Sequence, residues 1–142
     1  PMNGGVVTFG DIFAVQPFGN DLVVLTLTGA QIEKVLREQY QPTGNNILQV
    51  SAGFEFMWKQ PVGQPIEIVP GSMKLNGVTV SPEATYRVVT NNFLADGGDG
   101  FASFKGGTDR VTVSSDIEAL EAWFRDRSPL SGAIGARIRK VD

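Results

Sequence analysis

Residues 21–40, DLVVLTLTGAQIEKVLREQY, constrain the fold most, because a strand pattern passes directly into a helix pattern. Residues 21–27 are rich in Val, Leu and Thr and are typical of a buried strand. Thr28 and Gln31 form a capping-box pair, which marks the start of a helix. Four apolar residues then recur at helical spacing and give this helix one apolar face: Ile32, Val35, Leu36 and Tyr40. The chain is therefore predicted to contain both a sheet and helices.

Shorter strand patterns occupy the middle of the chain. Residues 47–58 predict a strand, with Gly53 as a bulge or a point of close approach. Residues 65–80 predict short strands joined by turns, and Asn76-Gly77 is a strong hairpin signal. This part of the chain is thus expected to be mainly sheet.

The remaining segments mix helix and strand. Residues 86–90 and 134–141 predict two more strands, and residues 10–15 predict a short helix. Ser115 and Glu118 form a second capping box. The helix that follows it has an apolar face formed by Ile117, Leu120, Trp123 and Phe124.

The chain of 142 residues is long enough for one compact domain and shows no repeat or low-complexity linker. Strands and helices alternate without a regular βαβ rhythm. The predicted fold is therefore α+β, a single domain over residues 1–142 with a mixed β-sheet packed by helices.

The amino-acid composition limits the kinds of chemistry that the chain can perform. The chain has no histidine and no cysteine, so it lacks the usual general base, the commonest metal ligand and any disulfide. No catalytic residue and no metal site are predicted. The net charge of −3 argues against a nucleic-acid partner. No apolar run approaches the roughly 20 residues of a membrane helix, so no membrane segment is expected. These features favour binding over catalysis.

Two loops combine an aromatic ring with glycine and polar residues: residues 17–20 (PFGN) and residues 91–100 (NNFLADGGDG). Two rings that face each other, Phe18 and Phe93, would form a slot for a flat ligand. Stacking one base on one aromatic ring contributes about 1–3 kcal/mol. A carboxylate nearby could accept hydrogen bonds from sugar hydroxyls.

Other interpretations of these loops are open. Considered alone, Phe18 and Phe93 are expected more often in a core than in a site. Asp96 and Asp99 resemble calcium ligands, but a calcium site needs about 6–8 oxygen ligands and a different spacing. The Gly-Gly-Asp-Gly run is not a phosphate loop, because no lysine and Ser/Thr follow it.

Four segments occur in a fixed order along the chain: FGDIFAVQPFGNDLVVLTLTGAQIEKVL, LQVSAGFEF, YRVVTNNFLADGGDGF and IGARI. Together they resemble the C-terminal domain of the 5'-nucleotidase family, which includes periplasmic nucleotidase/UDP-sugar hydrolases and animal ecto-5'-nucleotidases. The segments cover nearly the whole chain. The Asn-x-Phe-x-Ala-x-Gly-Gly-Asp-Gly pattern with the upstream Pro-Phe-Gly is highly specific.

The resemblance implies roles for five residues. Members of the family hold the nucleobase between two aromatic rings, which match Phe18 and Phe93. The aspartate that binds the ribose hydroxyls matches Asp99. The asparagine that approaches the base edge matches Asn20, a position that an ordinary turn would equally explain. The backbone near Gly53 is expected to lie close to the same pocket.

The sequence also departs from the family pattern. Members carry an upstream Asn-Gly-Gly-Gly-Ile-Arg stretch whose arginine contacts the substrate phosphates. Asn3-Gly4-Gly5 is followed by Val6-Val7 instead. The domain is therefore expected to be truncated at its N-terminal edge, downstream of that arginine. The N-terminal metallophosphatase domain, in which the resemblance implies two divalent metals (zinc or manganese), is also expected to be missing.

The first hypothesis is a base- and ribose-recognition domain of a metal-dependent 5'-nucleotidase-type hydrolase in nucleotide catabolism. Its partners would be a nucleotide or nucleoside and the missing metal-bearing domain, and this chain alone is expected to be inactive. A second hypothesis is a stand-alone, non-enzymatic nucleoside-binding or interaction module. A third is a family member that acts on cyclic nucleotides, dinucleotides or UDP-sugars. The resemblance implies a periplasmic, cell-surface or secreted location.

Overall fold

The computed structural model describes residues 19–41, 44–127 and 137–141. Within them the strands are β1 (Asp21–Thr28), β2 (Phe54–Lys59), β3 (Glu67–Ile68), β4 (Lys74–Leu75), β5 (Val78–Thr79), β6 (Thr85–Asn91), β7 (Thr108–Ser115) and β8 (Ile138–Lys140). The helices are α1 (Gly29–Arg37), α2 (Asn92–Ala95) and α3 (Asp116–Arg127), with 3₁₀ turns at Gly98–Gly100 and Ala102–Gly106. The chain thus has the α+β composition that the sequence predicts.

The first sheet is antiparallel, with β1 in the centre between β6 and β7 in the part of the chain described. Burial alternates along β1, so that one face is fully covered by the core: Val23, Leu25 and Leu27. On the opposite face Val24 lies directly across from Val89 and from Val111. Directly opposed residues share a face, so these valines form a row that is partly exposed at Val89 and Val111.

The second sheet is built around β2. It pairs with β3 and β4 in antiparallel fashion and with β8 in parallel, so the sheet is mixed as predicted. Asn76 and Gly77 both have positive φ and join β4 to β5, which confirms the predicted hairpin. Ser72 lies between β3 and β4 and is buried. Its hydroxyl accepts a hydrogen bond from the Met57 N–H and donates one to the Met57 carbonyl oxygen. Ser72 therefore continues the hydrogen bonding along the edge of β2 that faces β3 and β4, in the gap between these two strands.

Helix α1 lies between two hydrophobic clusters. Its predicted capping box is present, because the Thr28 hydroxyl accepts from the Gln31 N–H and the Gln31 side chain accepts from the Thr28 N–H. Val35 belongs to the cluster beneath the first sheet, whereas Leu36 belongs to the cluster beneath the second. Ile32 packs against both. One helix therefore supplies apolar surface to the whole core.

Two predicted boundaries are wrong. Helix α1 ends at Arg37, and Tyr40 beyond it is exposed and does not belong to its apolar face. The strand predicted from residue 47 begins only at Phe54. In the stretch before it, the buried Gln39 takes the place of a neighbouring strand, because its Oε1 accepts from the Leu48 N–H at 2.8 Å and its C=O accepts from the Asn46 N–H at 2.8 Å.

The other predicted elements differ less. The strand predicted over residues 86–90 is β6, and the second capping box is present between Ser115 and Glu118. Strand β7 was not predicted, because its residues are mostly exposed and show no alternation of burial. The helix predicted over residues 10–15 and the start of the last predicted strand lie outside the described residues.

Candidate functional site

The two loops singled out in the sequence converge at one end of the first sheet. The first described residues of one loop, Gly19 and Asn20, lead into β1, whose Leu22 pairs with Asn91 at the end of β6. The Asn92 side chain extends this pairing, because its Oδ1 accepts from the Asp21 N–H at 3.0 Å. Asn20 is therefore held close to the loop that carries Phe93. Phe18 lies outside the described residues.

Asn20 is fixed through its backbone. Its carbonyl oxygen accepts from the N–H of Asp116, the first residue of α3, at 2.9 Å. The side chain of Asn20 is half-buried. This arrangement fits both interpretations of Asn20, as a turn residue and as a residue that approaches a ligand.

Phe93 is presented at the surface by a one-turn helix. The Asn91 side chain caps α2 by accepting from the Leu94 N–H at 2.8 Å, and Ala95 buries the opposite side of the turn. Phe93 itself is 48% exposed, whereas Leu94 packs against the first cluster. The interpretation of residues 91–100 as a loop is therefore wrong for residues 92–95, which form α2. The expectation that Phe93 lies outside the core agrees with its exposure.

The Phe93 ring lies against the backbone of Gly98. A Cβ atom at position 98 would lie 2.6–2.7 Å from Cζ, Cε1 and Cε2 of the ring, closer than side-chain atoms approach one another. Only glycine allows this contact without a shift of the ring. The second glycine of the Gly-Gly-Asp-Gly run is thus explained by the packing of Phe93.

Asp99 adopts a left-handed backbone conformation. Its φ of 54° and ψ of 24° are unfavourable for most residues other than glycine, although aspartate tolerates them better than most. Its carboxylate is exposed and accepts no hydrogen bond within the described part of the chain. Backbone strain of this kind is concentrated at functional sites.

Gly53 has a different environment. Its φ of 90° and its contact with Asn76, whose N–H donates to the Gly53 carbonyl at 2.7 Å, confirm it as a point of close approach. These contacts belong to the second sheet. The contacts just described for Phe93 and Asp99 do not involve Gly53, so its place in the pocket stays a prediction.

Two cavities lie near the loops. One of about 360 Å³ is bounded mostly by apolar residues of α1, β6 and residues 48–51, and includes Leu94 but neither Phe93 nor Asp99. Another of about 270 Å³ lies behind the loop and is lined by Asp96, Lys105 and Arg110 among others. Arg110 and Asp96 form an ion pair at 2.6 Å there. Neither of these two cavities is lined by Phe93 or Asp99.

Two residues that shape the site have roles that the sequence analysis does not assign. Asn91 and Asn92 shape the loop, Asn91 as the cap of α2 and Asn92 as the link to β1. The preference of asparagine for the N-cap position was the available signal for Asn91. No local pattern indicates Asn92, because its partner at Asp21 is distant in the sequence.

The described residues contain no group of three or more Asp, Glu, His or Cys side chains that could hold a metal ion. In the same part of the chain, no helix is both long and apolar enough to cross a membrane.

Comparisons with known proteins agree with this arrangement. Residues 2–106 match the family described as "5'-nucleotidase, C-terminal domain". The chain is 31% identical to a cell wall protein of Listeria monocytogenes over 132 residues, and 35% identical to a trifunctional nucleotide phosphoesterase of Bacillus subtilis over 105 residues. The structure of a 5'-nucleotidase precursor from Thermus thermophilus superposes with a TM-score of 0.77 at 34% identity.

These similarities cover most of this chain but only a part of each relative. The matches span 92% of the chain for the Listeria protein, 70% for the Bacillus protein and 96% for the Thermus structure. They span 17%, 7% and 28% of those proteins, respectively.

Proposed function

This chain belongs to the 5'-nucleotidase C-terminal domain family, and from this premise we propose that it binds the base and ribose of a nucleotide on behalf of a phosphoester hydrolase. The observation that carries the proposal is the arrangement of Phe93 and Asp99 around Gly98. A half-exposed ring rests on Gly98, and the next residue presents a carboxylate without a described hydrogen-bond donor. A ring and a carboxylate suit a ligand that has both a flat face and hydroxyl donors.

In the whole protein this domain would orient the substrate. By binding the base and ribose, it would place the phosphate at a catalytic centre in another part of the protein. This placement lowers the entropic cost of reaching the reactive geometry. Two divalent metals, zinc or manganese, would supply the activated water there. The described residues offer no cluster that fits such metals. This chain alone is therefore proposed to bind ligand without hydrolysing it.

Phe18 and Asn20 complete the proposed site. The pairing of Leu22 with Asn91 and the bond from Asp21 to Asn92 support a position for this loop beside Phe93. We propose that Phe18 forms the second wall of the base slot and that Asn20 approaches the base edge. We further propose a location outside the cytoplasm, at the cell surface, in the periplasm or secreted, which the likeness to a cell wall protein supports.

The test is a titration of the 142-residue chain with adenosine, AMP and 2',3'-dideoxyadenosine, followed by NMR chemical shifts. Adenosine and AMP are expected to bind with similar affinity, because the contacts proposed for this chain involve base and ribose only. The affinity for adenosine should be higher than that for the dideoxynucleoside by about tenfold or more, since hydrogen bonds to a charged acceptor contribute about 1.5–3 kcal/mol.

Asp99→Asn sharpens this test. It should reduce the affinity for adenosine and leave that for 2',3'-dideoxyadenosine unchanged, because only adenosine has 2'- and 3'-hydroxyls to donate to the carboxylate. Asp109→Asn is the matched control, since Asp109 is exposed and also has positive φ but lies in β7. Equal binding of both nucleosides by the unaltered chain, or shifts that are centred away from Phe93 and Asp99, would exclude the proposed function.

A further inference from the structure

Glu38 joins the end of α1 to the turn that follows Asp99. It is the C-cap residue of α1, and its carboxylate accepts three hydrogen bonds from one serine. Oε1 accepts from the Ser103 N–H at 3.1 Å and from the Ser103 hydroxyl at 2.6 Å, and Oε2 accepts from the same N–H at 3.2 Å. Bonds to an ionised acceptor are stronger than those between neutral groups. Ser103 is therefore firmly attached to α1.

A second side chain from the same helix end supports the loop closer to Asp99. The Gln41 amide donates to the Glu38 carbonyl at 2.6 Å and reaches the Asp99 carbonyl at 3.5 Å. It lies over Gly100, where a Cβ atom would be 2.6 Å from Nε2. The backbone of Asp99 and Gly100 is thus confined from the side of α1.

These contacts supply what the conformation of Asp99 needs. A non-glycine residue with φ of 54° keeps that conformation only where its surroundings impose it. On the N-terminal side Gly98 packs on Phe93, and on the C-terminal side the chain is held by the buried Phe101 and by the bond from Ser103 to Glu38. Without Glu38, one of these supports is lost although the Phe93 ring keeps its own contacts.

We infer that Glu38 is a positioning residue, which acts through Ser103 to aim the Asp99 carboxylate at the ligand's sugar hydroxyls. This inference rests on the proposed function of the site and deepens it. According to it, the preference for ribose over a sugar that lacks the 2'- and 3'-hydroxyls depends on the end of α1 as well as on Asp99. The Phe93 ring would determine binding of the base independently.

The test measures the ratio of affinities for adenosine and 2',3'-dideoxyadenosine. Glu38→Ala should lower this ratio about fivefold, less than the tenfold or larger loss expected when bonds to a charged group are removed outright. The affinity for the dideoxynucleoside should not change, because that ligand depends on the ring and not on the aim of Asp99. Glu38→Gln should restore most of the ratio, since an amide oxygen can still accept from the Ser103 hydroxyl.

Glu33→Ala is the matched control, because it removes a glutamate of α1 whose ion pair with Arg37 faces solvent. It should leave both affinities unchanged. If Glu38→Ala does not fold, as judged by circular dichroism, Ser103→Ala decides the question with a smaller fall of the same ratio. An unchanged ratio, or an equal loss for both nucleosides, in a chain whose Asp99→Asn variant does lose discrimination would overturn the inference. Absence of discrimination in the unaltered chain would instead count against the proposed function itself.

Discussion

The unit formed by β1 and α1 and the segment from Asn91 to Phe104 lie side by side, yet they obtain their conformations in different ways. In β1 and α1 the backbone is regular, every second strand residue is buried, and the helix cap is made by residues of the same turn. In the segment 91–104 the backbone of Asp99 is left-handed, and part of its support comes from outside the segment, from Glu38 and Gln41.

Because of this difference, we expect one region to determine the stability of the domain and the other to determine ligand binding. A segment that determines its own conformation can devote its side chains to the core, as β1 does with Val23, Leu25 and Leu27. A loop that is held by other elements can leave Phe93 and Asp99 exposed. We therefore expect substitutions in the first region to change the free energy of unfolding and substitutions in the second to change affinity for ligand.

The largest effect is expected at the centre of the regular region. Leu25→Ala should lower the free energy of unfolding by about 2–5 kcal/mol, because it removes buried methyl groups and leaves a cavity. Leu25 is 2% exposed and packs beneath Gly107. Urea denaturation of the variant measures the loss. Val89→Ala on the neighbouring strand, at a position 59% exposed, should change stability by less than about 0.5 kcal/mol. Similar losses in the two variants would contradict the comparison.

Phe93→Ala should change ligand affinity and leave stability nearly unchanged. It is expected to weaken adenosine binding by about 1–3 kcal/mol, the contribution of one base stack. The free energy of unfolding should change little, because the ring is about half exposed and belongs to neither cluster. Calorimetric titration and urea denaturation of one preparation measure both. Val78→Ala, an exposed position in β5, should alter neither. A Phe93→Ala chain that binds adenosine as well as the parent would remove Phe93 from the site.

A smaller effect on stability than at Leu25 is expected at Asp99, where stability and ligand discrimination are predicted to change in opposite directions. Asp99→Gly should raise the free energy of unfolding by about 1 kcal/mol, because glycine adopts φ of 54° without the steric cost. The same change removes the carboxylate and should abolish the preference for adenosine over 2',3'-dideoxyadenosine. Asp109→Gly, at φ of 51°, should give the stability gain alone. Loss of stability in Asp99→Gly would contradict this prediction, because the unfolded-state entropy that glycine adds would then exceed the relief of strain.

The sequence predicts the regular region well because its signals are local. Alternation in β1, the capping pair of Thr28 and Gln31 and the hairpin at Asn76-Gly77 all involve residues close together in the chain, and the structure contains each of them. The candidate site residues Phe93 and Asp99 were found through the family pattern. Physical reasoning alone would have left Phe93 in the core, since the exposure of a single phenylalanine depends on what surrounds it.

The features that the sequence does not predict depend on contacts between residues that are distant in the chain. Gln39 replaces a strand partner for Leu48, Asn92 binds Asp21, and Glu38 binds Ser103. None of these pairs has a spacing that a helix or strand period would reveal. Strand β7 belongs to the same class, because its exposed residues are specified by pairing with β1 and not by burial.

The position of α1 between the two hydrophobic clusters has a consequence for how the domain unfolds. Because consecutive residues Val35 and Leu36 enter different clusters and Ile32 touches both, neither sheet can separate from the helix without exposing apolar surface of the other. We therefore expect the two sheets to melt in a single cooperative transition, with hydrogen-bonded amides of β1 and β2 exchanging through openings of the same free energy. A ligand held by the loop that α1 supports would slow both sets of amides together.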